Sequence, residues 1–152
     1  MEMDENTKFL RAILRQDWEA YDALLAEFES QGKGTPMAII GFAFNIAVQR
    51  RFGQRKDMNE IIQFVADART FLSEGRDLPA KEAEALICAT LDLDAPEVAE
   101  TIDRLDIGTI TEIEAQLLFK LIADENLSEQ QLDDFLAQAE ALAAQWQNSA
   151  TP

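Results

Sequence analysis

Apolar residues that recur every three or four positions, cut by glycine- and proline-bearing breaks, constrain this chain to helices. Leu10, Leu14, Trp18, Tyr21, Leu25 and Phe28 keep that interval up to Gly32, which places them on one helical face. Asp17 is a plausible cap inside this run and could split it in two. Val, Ile, Thr and aromatic residues do not gather into alternating runs, so strands have little support.

The same reading continues along the chain. Gln31 to Gly34 is a loop, and Thr35-Pro36 opens a helix, with threonine as cap and proline at the first helical position. That helix is apolar on nearly every side (Met37, Ile39, Ile40, Phe42, Phe44, Ile46, Val48), as suits the middle of a bundle. It closes on Arg50, Arg51 and Phe52, and Gly53 is expected to take a left-handed cap. Asp57 and Glu60 form a capping box before the stripe Ile61, Phe64, Val65, Ala68, Phe71 and Leu72, which ends at Gly75. Further helices are expected over 79–91, 96–105, 111–124 and 128–147. Thr111 with Glu114, and Ser128 with Gln131, read as capping boxes for the last two. The fold class is therefore all-α. A bundle of six to seven helices is expected around a central apolar helix at about 35–52. Residues 1–147 read as one domain, with a helical hairpin over 1–53 and an acidic layer over 57–147 as sub-units, and 148–152 as a frayed tail.

Charge is the second constraint. The net charge is −16, and it is lopsided. Residues 1–81 carry 13 acids and 11 bases, whereas 82–152 carry 16 acids against Arg104 and Lys120 alone. Such a surface repels nucleic acid and attracts a basic protein. The run from Met37 to Val48 is too short for a bilayer, which takes roughly 20 residues. The acidic start, Met1 to Glu5, lacks the basic residues and apolar run of a secretory leader. With Cys88 as the only cysteine, a cytoplasmic protein is expected.

The chain contains no histidine. That removes serine–histidine and cysteine–histidine nucleophiles and histidine-ligated zinc. No phosphate-binding glycine loop or dinucleotide fingerprint occurs. Cys88 has Glu84 and Asp92 nearby rather than cations, so packing is its expected role. Asp103, Gly108, Ile110 and Glu114 fall where the first, sixth, eighth and twelfth residues of a calcium loop would, and the segment resembles an EF-hand there. Leu105 and Ile107 stand where oxygen ligands are needed, so a metal-free helix–loop–helix is expected. No catalytic residue, metal or cofactor is assigned.

Two groups of residues are candidates for partner binding. Asp92, Asp94, Glu97, Glu100, Asp103 and Asp106 make a negative ridge on which a basic protein surface could dock. Glu100 and Arg104 are spaced to pair within it. Arg50, Arg51, Arg55 and Lys56 form a basic knot that would serve as a secondary contact. The expected function is a non-enzymatic interaction module with an acidic docking face, with no nucleic-acid or membrane partner. A homo-oligomer is compatible with it. One alternative is an immunity- or inhibitor-type protein that neutralises a basic toxin or nucleic-acid enzyme. Another is a carboxylate-based, metal-dependent enzyme, which would need two acids converging in a pocket, one of them strongly perturbed.

Overall fold

The structure is a computed structural model. It describes residues 5–15, 17–32, 37–54, 57–71, 78–93 and 96–150. Among these there are eight helices and no strand: α1 Glu5–Leu14, α2 Trp18–Ser30, α3 Met37–Phe52, α4 Met58–Phe71, α5 Ala80–Thr90, α6 Pro96–Asp103, α7 Ile107–Glu125 and α8 Glu129–Ala150. The all-α expectation holds, with eight helices rather than six or seven. The difference is the break in the first segment. There the Asp17 carboxylate accepts from the Ala20 backbone N–H at 3.2 Å and opens α2 as a separate helix. The capping and breaker roles read for Thr35, Pro36 and Gly75 lie outside the described residues, as do Leu72 and the side chains of Trp18, Met37 and Trp146.

The chain divides into two compact units, Met1–Ala43 with Glu125–Pro152, and Phe44–Asp124. In the first, Phe9 is fully buried, with its ring centroid 4.9 Å from Tyr21 and 5.7 Å from Phe28. Leu10, Ile39, Ile40, Leu132, Phe135 and Leu136 are buried in the same unit. Burial of such side chains stabilises by roughly 1.5–3 kcal/mol each. Leu142 on α8 is 36% exposed. That helix opens on a reciprocal capping box: the Gln131 backbone N–H donates to Ser128 Oγ at 3.2 Å, and the Ser128 N–H donates to Gln131 Oε1 at 2.9 Å.

The second unit holds α4 to α6 and most of α7. Ile61, Phe64, Val65 and Ala68 line the buried face of α4, but Phe71 at its end is 48% exposed. The Phe71 ring still rests 5.6 Å from Phe119, with Lys120 Nζ 4.7 Å from its centroid. Ile113, Gln116, Leu117, Leu118, Phe119, Leu121 and Ile122 are all buried, which covers α7 on nearly every side.

Three local expectations are corrected. Helix α7 begins at Ile107, not Thr111. Asp106 is its cap, accepting from the Thr109 backbone N–H at 2.7 Å. Thr111 is a buried interior residue whose hydroxyl donates to the Ile107 carbonyl at 2.9 Å, so no capping box forms with Glu114. Gly53 does not take positive φ; among the described glycines Gly32 does, at 73°. Glycine is needed at 53 for space, since a Cβ there would stand 2.4 Å from the Gln49 carbonyl oxygen. Among the described residues no helix is long and apolar enough to cross a membrane.

Candidate functional site

The acidic ridge is built on α5, α6 and the turns that bound them. Helix α5 ends when the Leu91 N–H bonds the Ile87 carbonyl at 3.1 Å and the Leu93 N–H reaches back to Cys88 O at 2.9 Å. Between them Asp92 adopts φ 58°, the left-handed position usually held by glycine. Aspartate tolerates it better than most residues. Helix α6 packs on α5, and its Thr101 hydroxyl donates to the Glu97 carbonyl at 2.8 Å, leaving the Glu97 carboxylate exposed.

A shallow groove runs along each flank of α6. One, of about 200 Å³, has Met58, Ala85, Cys88 and Val98 as its apolar lining and Lys81, Glu84, Glu97 and Thr101 as its polar lining. The other, of about 310 Å³, lies by the carboxyl end of α5. Among the described residues it is lined by Ala89, Leu93, Val98, Ala99 and Ile102, with Asp92 and Asp103 as the charged ones. The ridge is therefore an acidic edge to apolar surface. This juxtaposition was not visible in the sequence, because it depends on how α6 is set against α5.

The other candidates are dispersed. Glu100 is exposed and lines neither groove, and its expected pair with Arg104 is not among the ion pairs of the described residues. Asp106 is engaged as the α7 cap, and the Thr109 backbone N–H holds its carboxyl below the usual range, with the Thr109 hydroxyl helping. Arg51 is turned to internal use: its guanidinium is 3.3 Å from Asp124 and lies 5.3 Å from the Phe64 ring centroid and 5.9 Å from that of Phe52. Arg50 is exposed. Asp94, Arg55 and Lys56 lie outside the described residues.

Several acids of the second half are likewise engaged. Arg11 bonds Glu129 at 2.9 Å and Asp133 at 2.5 Å, and Arg15 also pairs with Glu129. Lys120 holds Asp124 at 2.7 Å. Bases of the early chain thus offset acids of the late chain. These partly exposed pairs contribute little to stability individually, on the order of 0–1 kcal/mol, but they decide where uncompensated negative charge remains. Asp92, Glu97, Glu100 and Asp103 are exposed and take no part in these pairs.

Cys88 is buried, as its neighbours implied. Its Sγ lies 3.5 Å from Met58 Sδ, and burial, then the Glu84 charge, pushes its thiol up from its ordinary pKa. The calcium-like segment is a helix pair with a tight turn at Arg104–Asp106, and everything from Ile107 to Glu114 is already helical. Among the described residues no cluster of three or more Cys, Asp or Glu is placed to hold a metal ion.

Glu114, which the sequence suggests as a capping partner and a calcium-loop position, is instead a desolvated carboxyl. It shares its part of α7 with buried Ile113, Leu117 and Leu118, and desolvation raises its carboxyl pKa to about 7. The signal was present: Glu114 stands three and four residues before Leu117 and Leu118, in register with the apolar stripe. It lines neither groove. A comparison with protein-family models, curated proteins and solved structures finds no match for the chain.

Proposed function

We propose that the chain is a non-enzymatic, cytoplasmic protein-interaction module whose docking face is the α5–α6 pair, and that it takes basic segments of other proteins. The observation that carries this reading is the position of Asp92, Glu97 and Asp103 on the edges of apolar grooves. Apolar surface supplies contact area, and the carboxylates favour cationic partners over anionic ones. Ile107 adds to it: it follows Asp106 directly and is 65% exposed, an unusual setting for a large aliphatic side chain. Catalysis has less support, because the perturbed carboxyl, Glu114, lines neither groove.

The test is affinity capture with the parent chain and with an Asp92→Asn/Glu97→Gln/Asp103→Asn variant, at low and at high salt. Partners lost in the variant and weakened by salt support the reading. Partners held equally by both proteins at high salt overturn it.

A further inference from the structure

The groove beside the carboxyl end of α5 differs from its neighbour in charge. The groove along α5 mixes Lys81 with Glu84 and Glu97. The second contains, among the described residues, Asp92 and Asp103 and no base. Its remaining surface is aliphatic, with Leu93 and Ile102 half-buried and therefore still partly open to solvent. An occupant must be apolar along its length and cationic at its tip. A wholly apolar side chain would strip water from the carboxylates and give nothing back. An anionic one would be repelled. Lysine and arginine combine the two features in one side chain, an aliphatic stem and a charged head.

We infer that this groove takes a lysine or arginine side chain of a partner protein, its stem along Leu93, Val98 and Ile102 and its head between Asp92 and Asp103. The inference rests on the docking face proposed above and names the chemistry that face selects. Because the carboxylates are solvent-exposed before binding, little dehydration opposes the contact, and each charge pair is worth the modest amount typical of surface ion pairs. Losing both charges therefore weakens binding about fivefold to tenfold. Asp92→Asn is a suitable probe, since asparagine is at home in the left-handed position that Asp92 occupies at φ 58°.

The experiment uses the full chain and a labelled peptide in which arginine alternates with leucine, with a second peptide carrying citrulline, the neutral isostere, in place of arginine. Anisotropy titrations are run at low ionic strength, about 10 mM, where screening reaches only beyond roughly 30 Å. Amide chemical shifts map the contact. The expected result has three parts: the citrulline peptide binds about fivefold to tenfold more weakly, Asp92→Asn/Asp103→Asn produces the same loss for the arginine peptide, and shifts centre on Ala89, Leu93, Val98 and Ile102. If the arginine peptide binds but the double variant leaves its affinity unchanged, with shifts on Glu84, Glu97 and Thr101 instead, this groove is wrong and the α5–α6 docking face survives; shifts on acids elsewhere, such as Glu112 or Asp134, overturn both readings. Equal binding of the two peptides overturns the requirement for a cationic head. Failure of any basic peptide to bind removes both readings together.

Discussion

Replacing Glu114 by glutamine removes one titrating carboxyl from the apolar stripe of α7 while keeping its shape. In the folded chain that carboxyl titrates at about 7, against an ordinary 4.5. The folded state therefore holds a proton that the unfolded state has already released across this window. With a raised acid pKa, stability falls as pH climbs from the ordinary value to the folded one, and the full cost is felt above it. At about 1.4 kcal/mol per pKa unit the gap sets an upper bound of roughly 3.5 kcal/mol. Glu114 keeps some solvent contact, and screening brings the working range to about 1–3 kcal/mol. Below the window both proteins carry an uncharged group at 114, so the stability difference between them there is a constant set by amide against carboxyl. Urea unfolding followed by circular dichroism, in steps from about pH 5 to about pH 8, gives the difference between variant and parent. The Glu114→Gln protein should gain about 1–3 kcal/mol on the parent across that range, and subtraction cancels the titration of the chain's other acids. A difference that stays flat with pH would refute the claim that Glu114 is desolvated.

Two other predictions concern packing. Gly53→Ala should cost about 1–3 kcal/mol, as overpacking does, because the new Cβ would stand 2.4 Å from backbone oxygen of Gln49. Gly53→Asn should rescue nothing, since the position is not left-handed, and an unfolding midpoint equal to the parent's for either variant would contradict this. Cys88, buried and with its thiol pushed up, should react with a thiol reagent far more slowly than an unfolded-chain cysteine. Its rate should rise with urea in step with unfolding, and fast native labelling would mean that the groove opens onto the sulfur.

What the sequence made legible was chiefly local. Asp17, Asp57 and Ser128–Gln131 announce helix starts through side chains that reach only two or three residues, and the structure contains those contacts. The start of α7 was misread because two overlapping signals compete. Asp106 and Thr111 both stand where a cap could, and Gly108 between them looks like a breaker, so the later one was preferred. Packing decided for the earlier one, since Thr111 and Ile113 are buried and must already be helical to face inward. Charge was legible as a total and not as a distribution. Arg11 lies more than a hundred residues from Glu129 and Asp133, and no local pattern says that they meet. The grooves were hidden for a similar reason. They depend on how α6 is set against α5, which a stripe of apolar letters does not specify.

The division of the chain has a temporal consequence. One unit is a continuous stretch, Phe44–Asp124, while the other joins Met1–Ala43 to Glu125–Pro152. A ribosome delivers α1 first, yet α8, which packs against it, emerges only after the whole of Phe44–Asp124. Until then Phe9 and Leu10 lack the residues that α8 brings to their unit, Leu132, Phe135 and Leu136, whereas the intervening unit is already made in full. Synthesis order and assembly order therefore run differently here, with α1 waiting for α8 to complete its unit.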